Sequence, residues 1–443
     1  MIKFTLFFLS LSLLIILHEF GHYITARWFK AKVDKFYLFF DFLFPFPGVM
    51  KFSLFKKKIG DTEYGLGWFP FGGYVDIAGM MADPEEKEPK APEPHEFRGK
   101  KPWQRLIILA GGVTVNFLLA IVIYSMLAWA WGDDRLPAAN AKYGVMCDTI
   151  MLNMGLQDGD KPIAVDGVPI DDIQHANASM ILDDHHGITV ERDGKTVNIP
   201  LKEGIGYQVI EKEDQHALFQ PLIPFVADSV IAGDPAEKAG LQKGDSIVTL
   251  NNDTLPMFQQ FAAHLSRFKD KKVTVGFYRN GKYMTAEVNV NKDGKMGVAP
   301  ADMDRYLTFV HTDYSFFPAW GRGFSRTTET LSNYVKQLKF LFTKAGAKKV
   351  GGFGSIGKLF PSTWNWEAFW EITAMLSVIL AFMNLLPIPV LDGGYILFVL
   401  WEMITGKKVS DKFMQKALTI GMYFVLALLL YANGNDIFRA LTK

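Results

Sequence analysis

The residues best suited to chemistry form a short pattern near the start of the chain. His18 and His22 are four positions apart, and Glu19 directly follows the first of them. On a helix, positions i and i+4 share one face, so the two imidazoles can bind the same metal ion. Glu19 lies beside them and can accept a proton from water that the metal activates. The pattern predicts a zinc hydrolase site. The alternative is a structural polar cluster at a helix end.

A third metal ligand is expected, because zinc hydrolases commonly use three protein ligands and leave the fourth position to water. The nearby acids Asp34 and Asp41 lie in an irregular aromatic segment and fit poorly. Asp392 lies far downstream, after an apolar run that contains Pro387 and Pro389. These prolines cannot continue a regular helix, so the backbone should open just before Asp392. The alternative is that Asp392 only caps the next helix.

Four apolar runs are each near the ~20 residues that a helix needs to cross a bilayer. We predict spans at residues 4–24, 106–131, 369–390 and 418–431. Lys and Arg cluster after the first run, before the second, and between the third and fourth. These segments should therefore be cytoplasmic. The histidine pair and Asp392 then lie at the same side and at similar depth, which makes Asp392 the expected third ligand.

A Gly-rich aromatic segment at residues 64–76 is too short and too broken to cross the membrane as a helix. It predicts a β-hairpin or re-entrant loop with glycines at the turn. Backbone without partners is tolerated at membrane depth only against protein or water. The alternative is an interfacial loop that its aromatic residues anchor in the membrane.

The middle of the chain has the composition of a soluble protein and contains a repeated pattern. Residues 240–251 carry a helix end, a Gly-Asp turn and a buried strand, and residues 155–167 repeat this more weakly. The pattern resembles the PDZ domain, which can capture a peptide at a sheet edge. The two PDZ-like domains either bind peptide or limit access sterically. We expect five regions: an N-terminal membrane half (1–131), two PDZ-like domains (133–220 and 221–310), an amphipathic membrane-surface segment (311–367) and a C-terminal membrane half (368–443).

The histidine pattern, together with Leu391-Asp392-Gly393-Gly394, resembles the site-2 protease family of intramembrane metalloproteases. With its tandem PDZ-like insert, the chain is similar to the bacterial regulator-of-sigma-E protease type. Further matching segments are Gly72-Gly73-Tyr74-Val75, Asn384-Leu385-Leu386-Pro387-Ile388-Pro389, and Ala110-Gly111-Gly112 ahead of Asn116. The resemblance implies a polytopic α-helical membrane protein with four transmembrane helices, a membrane-associated β-hairpin and two inserted PDZ-like mixed α/β domains.

The same resemblance assigns roles to individual residues. It implies one zinc ion per chain, held by His18, His22 and Asp392, with Glu19 as the catalytic base. Asn384 is likened to a residue that contacts the substrate or the oxyanion. Residues 64–76 are likened to a strand that pairs with an unwound substrate helix. The substrate-binding residues implied there are Gly65, Gly67, Gly72, Gly73 and Tyr74.

The resemblance also implies a function and a location. These are regulated intramembrane proteolysis of single-span membrane proteins, in the bacterial inner membrane, with the PDZ-like domains on the periplasmic side. The implied substrates are an anti-sigma factor already trimmed by another protease, or remnant signal peptides. The expected partners are therefore a transmembrane protein, membrane lipid and, at the PDZ-like domains, a peptide or substrate segment.

The composition and the candidate residues argue against several other functions. The formal net charge is +1, so no global field attracts nucleic acid. The single cysteine, Cys147, allows no intrachain disulfide. A catalytically silent scaffold that binds peptides would need neither Glu19 nor Asp392, yet both are present. A membrane-anchored zinc protease for soluble proteins would carry the histidine pattern in a soluble domain, not at the end of the first span.

Overall fold

The computed structural model describes residues 1–43, 49–70, 72–80, 92–212 and 217–442. The chain forms two compact units. The first combines Met1–Gly132 with Asp313–Lys443, and the second is Asp133–Thr312. The second unit is therefore an insertion into the first.

The N-terminal part of the first unit contains two long apolar helices with four strands between them in the sequence. Its elements are α1 (Ile2–Trp28), β1 (Val33–Leu38), β2 (Ser53–Ile59), β3 (Thr62–Gly67), β4 (Tyr74–Ile77) and α2 (Pro102–Trp131). Neither helix is strongly amphipathic, which is typical of helices that are apolar on all sides. Pro102 is the first residue of α2, a position where proline's missing N–H leaves no helical hydrogen bond unmade.

The second unit is built mainly of strands. Its helices are α3 (Thr149–Asn153), α4 (Ile173–Leu182), α5 (Ile205–Glu211), α6 (Pro235–Lys238) and α7 (Phe258–Leu265). Its strands are β5 (Asp133–Arg135), β6 (Val145–Cys147), β7 (Lys161–Val165), β8 (Val168–Pro169), β9 (Gly187–Arg192), β10 (Lys195–Pro200), β11 (Phe219–Pro221), β12 (Ala227–Val230), β13 (Ser246–Leu250), β14 (Asp253–Thr254), β15 (Lys272–Arg279), β16 (Lys282–Asn289), β17 (Val298–Pro300) and β18 (Val310–Thr312).

The C-terminal part of the first unit is helical in all of its regular elements. These are α8 (Phe316–Leu341), α9 (Lys344–Lys349), α10 (Phe353–Leu359), α11 (Trp366–Leu385), α12 (Asp392–Thr405) and α13 (Asp411–Thr442). Helix α8 is amphipathic, as predicted for this part of the chain, and it packs along α2 and α11. Arg326 in α8 pairs with Glu371 in α11 at 2.6 Å. The placement of α8 at the membrane surface stays a prediction.

Four helices of the described residues are long and apolar enough to cross a membrane, namely α1, α2, α11 and α13. They match the four predicted runs in number and order. Helix α11 ends at Leu385, before the predicted end at residue 390, because Pro387 and Pro389 cannot continue a helix. Helix α13 extends beyond its predicted run at both ends. The chain thus has the helical architecture of a membrane protein.

The predicted hairpin at residues 64–76 is wrong, because the strands at its two ends do not pair with each other. The sheet has the order β2-β3-β1-β4. Strand β3 pairs in parallel with β1, while β4 pairs antiparallel with the other side of β1, with Val75 opposite Phe36. The hairpin instead joins β2 to β3, where Gly60 supplies the positive φ that a tight turn needs. Strand β4 is therefore an edge strand in the described sheet.

The second unit contains two four-stranded sheets with the same arrangement of strands. The strand order β10-β9-β7-β8 corresponds to β16-β15-β13-β14. Directly before the corresponding strands β7 and β13, a buried aspartate accepts two 2.7 Å hydrogen bonds from an arginine, Asp160 from Arg192 and Asp245 from Arg279. Two separate apolar cores accompany the two sheets. The structure therefore has an internal repeat, while the PDZ assignment and its domain boundaries stay predictions.

Helix α2 lies at the centre of the first unit and packs against α1, α8, α11 and α12. Gly21 in α1 and Gly111 in α2 meet backbone to backbone, and a Cβ atom on either one would overlap the other's carbonyl group. Small residues at such crossings let apolar helices approach closely. The crossing places the C-terminal turns of α1 against the first half of α2.

Candidate metal centre

Three side chains that could hold a metal ion converge at this crossing. His18 and His22 lie one turn apart on α1, and Asp392 is the first residue of α12. The two Nε2 atoms are 3.3 Å apart. Each also lies close to Asp392 Oδ2, at 3.2 Å from His18 and 3.3 Å from His22. The three atoms form a nearly equilateral triangle.

These distances fit a zinc ion. Zinc binds nitrogen and carboxylate oxygen at about 2.0–2.2 Å, and tetrahedral geometry then places two ligand atoms roughly 3.3 Å apart. Asp392 Oδ2 is buried and has no hydrogen-bond donor in the part of the chain that the structure describes. Leu391 occupies the N-cap position of α12, so Asp392 is not the cap of this helix. A shared cation accounts for three convergent ligand atoms better than a capping role does.

A backbone carbonyl fixes the orientation of one of these imidazoles. His22 Nδ1 lies 2.9 Å from the Ile108 carbonyl oxygen in α2. Because a carbonyl only accepts hydrogen bonds, Nδ1 carries the proton and Nε2 keeps its lone pair. This is the tautomer that a metal ligand requires. The sequence gives no signal for this contact, since the acceptor belongs to the backbone.

Gly112 supplies the surface on which both imidazoles lie. A Cβ atom at this position would overlap His22 Nε2 and would lie 2.7 Å from His18 Cε1. The absence of a side chain at Gly112 therefore lets the ligand atoms approach α2.

Gly112→Ala is expected to weaken zinc binding at least about tenfold, the lower end of the effects seen when a ligand's supporting shell is changed. The physical reason is the overlap between the added methyl group and His22 Nε2. The measurement is zinc affinity by competition with a chelator. Gly321→Ala in α8 is the matched control, because its Cβ meets nothing within 4 Å. Equal affinities in the two variants would contradict this role of Gly112.

Glu19 shares a cavity of about 160 Å³ with the three candidate ligands. Another wall of this cavity is formed by Gly73 and by Tyr74 and Val75 of strand β4. The Glu19 carboxylate accepts a hydrogen bond from the Val75 amide. The backbone groups of Val75 therefore point away from β1, toward the cavity. The structure thus brings an edge strand and a carboxylate to the same site.

Asn384 lies in the last turn of α11, and its Nδ2 atom is 3.4 Å from His18 Nε2. The side-chain amide therefore reaches the candidate ligands from a third helix. Helix α11 ends at Leu385, directly after Asn384, because Pro387 cannot continue it, and the chain then turns back into α12.

The five residues predicted to bind substrate separate into two groups. Gly73 and Tyr74 line the cavity. Gly65, Gly67 and Gly72 instead pack against β1 and the residues that follow it, because a Cβ on any of them would overlap Tyr37 or Phe40. The absence of side chains at Gly65, Gly67 and Gly72 therefore allows close packing within the sheet, and contact of these three residues with substrate stays a prediction.

Comparison with known proteins agrees with this geometry. The family model of Peptidase family M50 matches residues 6–428. The chain belongs to peptidase family M50. This is the site-2 protease family, so the resemblance seen in the sequence is confirmed.

Relatives within the M50 family match almost the whole chain. A protein of Neisseria meningitidis serogroup A whose name describes a zinc metalloprotease is 29% identical over 457 residues, covering 98% of both chains. The regulator of sigma E protease of Haemophilus influenzae is 26% identical over 463 residues, again covering 98% of both. The regulator of sigma-E protease RseP of Salmonella typhimurium is 28% identical over 459 residues, with 98% of both chains covered. This M50 protein is therefore a zinc metalloprotease, as the sequence predicted.

Proposed function

We propose that this protein is an intramembrane endopeptidase that cuts single-span membrane proteins, with His18, His22 and Asp392 as its zinc ligands. The observation that carries the proposal is the placement of the ligand triangle. Two ligands lie on α1, a helix apolar enough to cross a membrane, and the third follows α11, another such helix. A site built on these helices can meet a peptide bond that lies in or near the bilayer.

The residues around the triangle divide the chemistry between them. When bound, zinc acidifies water and polarises a carbonyl group. The Glu19 carboxylate accepts a proton from the attacking water and passes it to the nitrogen of the leaving amine. Asn384 Nδ2 donates a hydrogen bond to the scissile carbonyl oxygen as negative charge develops on it. Each of these roles follows from a side chain that faces the same small cavity or the ligand triangle.

Strand β4 is suited to hold the substrate. A transmembrane helix satisfies its own backbone hydrogen bonds, so it must be unwound before a peptide bond can be cut. An exposed sheet edge offers replacement partners through strand addition. The outward-facing backbone of Val75 lies beside Glu19, so a segment paired with β4 would pass the catalytic residues. The segment that we propose to pair with the substrate is therefore Gly73 with β4, and not residues 64–76 as a whole.

Val75→Pro is expected to slow the cleavage of a helical membrane substrate roughly fivefold to tenfold, about the value of one hydrogen bond. Proline removes the Val75 N–H, which points toward the cavity and donates to the Glu19 carboxylate, and it leaves the ladder between β4 and β1 intact. The slower cleavage is assigned to strand pairing only if the variant keeps the shape of the wild-type pH–rate profile, because a disturbed Glu19 would change that profile. Zinc content should stay unchanged. Val75→Ala is the matched control, since it keeps the N–H and shortens the side chain. Unchanged cleavage in the proline variant would argue against strand addition at β4.

The second unit provides none of the proposed ligands, and we propose that its two repeats are PDZ-like domains on the periplasmic side of the inner membrane. There they would bind a peptide or restrict access by size. The sigma-E regulators among the relatives support a substrate that is a trimmed anti-sigma factor, and remnant signal peptides share the same single-span form. Both substrates would present little bulk outside the membrane.

Replacing residues 133–312 with a short Gly-Ser linker is expected to leave zinc content unchanged and to widen substrate choice. Strands β5 and β18 pair antiparallel with Asp133 opposite Thr312, so the chain enters and leaves this unit at adjacent points. If the unit is a size filter, the shortened enzyme should cut substrates with bulky external domains that the full enzyme rejects. A trimmed substrate, cut by both enzymes, is the control. The same selectivity in both would speak against a filter.

The proposal as a whole is tested by comparing substrates in proteoliposomes. The purified full chain with zinc is offered a single-span membrane protein and, separately, a soluble unfolded protein. We expect chelator-sensitive cleavage of the membrane substrate. Cleavage of the soluble protein alone would favour a membrane-anchored protease for soluble proteins. No cleavage of either, with peptide binding retained by the second unit, would favour a scaffold.

A further inference from the structure

The Nδ1 atoms of the two candidate histidine ligands have different hydrogen-bond partners. His22 Nδ1 faces the Ile108 carbonyl oxygen, whereas His18 Nδ1 lies 3.1 Å from Nδ2 of Asn116. Asn116 lies on α2 and has no exposed surface. Its backbone carbonyl accepts a hydrogen bond from Ser377 Oγ at 2.7 Å, which ties α2 to α11 at this level.

The side chain of Asn116 is only half satisfied. Its Oδ1 atom is buried and has no hydrogen-bond partner among the residues that the structure describes. A buried amide oxygen without a donor is costly, and most such atoms in folded proteins have a partner. Rotating the amide by 180° exchanges two groups of nearly equal size and places Oδ1 against His18 Nδ1.

The tautomer of His18 decides which orientation of the Asn116 side-chain amide can form a hydrogen bond with His18 Nδ1. When Nε2 of a neutral imidazole binds a cation, the proton resides on Nδ1 and requires an acceptor. The amide nitrogen of Asn116 cannot accept it, but Oδ1 can. The side-chain oxygen would then do for His18 what the Ile108 carbonyl does for His22.

We propose that Asn116 is a positioning residue for the metal centre, with its Oδ1 accepting the Nδ1–H of His18 and so presenting Nε2 to zinc. This rests on the proposed function, since it requires His18 to be a ligand. Asn116 touches neither the ligand triangle nor the cavity, so it acts through His18 alone. Its removal should therefore change zinc affinity first and turnover of the zinc-loaded enzyme less.

The test is the zinc dissociation constant of the purified full chain, measured by chelator competition. Asn116→Leu keeps the volume but has no acceptor, and it should weaken binding about 10–100-fold, as loss of such partners usually does. Asn116→Asp keeps an acceptor oxygen and should bind within about threefold of the wild type. Ser377→Ala is the matched control, because it removes a bond to the Asn116 backbone but touches neither imidazole.

The absorption of the cobalt-substituted protein supplies a second readout, since a misoriented His18 should change the visible bands in Asn116→Leu but not in Asn116→Asp. Equal weakening in the Leu and Asp variants would overturn the acceptor role, and so would unchanged affinity in both. If Asn116→Leu fails to fold, Asn116→Ala carries the same expectation. His18→Ala is measured alongside. Full zinc affinity in that variant would refute the ligand assignment itself, whereas loss there with none in Asn116→Leu would refute only the role of Asn116.

Discussion

Replacing Glu19 with Gln is expected to abolish proteolysis and to leave about one zinc ion per chain. The amide has the shape of the carboxylate but cannot accept a proton, so water is no longer activated; such losses are about 10²–10⁴-fold. The Gln side-chain oxygen can still accept the hydrogen bond from Val75, so the wall of the cavity should be preserved. The measurement is single-turnover cleavage of a single-span substrate, with metal analysis of the same sample.

The control for this substitution is an acid of the same unit that lies away from the cavity. Glu367 is exposed in the first turn of α11, and Glu367→Gln should cleave at the wild-type rate. A Glu19→Gln enzyme that turned over within a few-fold of the wild type, with its metal confirmed, would remove Glu19 from proton transfer.

The parts of the site that depend on local sequence were predictable. The spacing of His18 and His22 fixes their common face on any helix, whatever surrounds it. Asp392 is far away in the sequence, but its neighbours Pro387 and Pro389 marked where a span must end. The Lys and Arg clusters predicted that this end lies on the same side of the membrane as the histidines, and the structure brings the three side chains together. Each of these inferences uses a short pattern whose physical meaning does not depend on the tertiary fold.

The sheet was harder to predict because its pairing is not local. Residues 64–76 contain turn-forming glycines between two apolar stretches, which is the usual signature of a hairpin. The parallel pairing of β3 with β1 outcompetes that local option, although the paired residues are 28 positions apart, as in Lys35 opposite Glu63. At Gly65 the Tyr37 ring occupies the space that a side chain would need, and at Gly67 the Phe40 backbone does. A single sequence does not reveal which group will occupy that space.

The contacts that orient the candidate metal ligands could not be predicted from the sequence either. The Ile108 carbonyl is a group that every residue has, so its role depends entirely on how α2 crosses α1. That crossing in turn depends on Gly21 and Gly111, whose spacing from one another in the sequence carries no signal. The sequence therefore predicted which three side chains converge, while their orientation is a property of helix packing.

Asp392→Ala is expected to lose both bound zinc and cleavage. Changing an outer partner of a ligand usually costs about 10–100-fold in metal affinity, and removing a ligand itself should exceed that. Only the two imidazoles would remain of the triangle, and Asp392 Oδ2 is the atom within 3.3 Å of both. The measurement is zinc stoichiometry after dialysis against a dilute chelator, followed by a cleavage assay with zinc restored in excess.

Asp411→Ala separates this loss from a general effect of removing an acid at a helix start. Asp411 is the first residue of α13, as Asp392 is of α12, and it is exposed. Both substitutions remove a carboxylate from a helix first turn, where it interacts favourably with the helix dipole, so any change in helix stability should be similar in the two variants. Only Asp392→Ala should lose zinc, and excess zinc should not restore its cleavage. Full zinc occupancy and activity in Asp392→Ala would mean that a different residue completes the metal site.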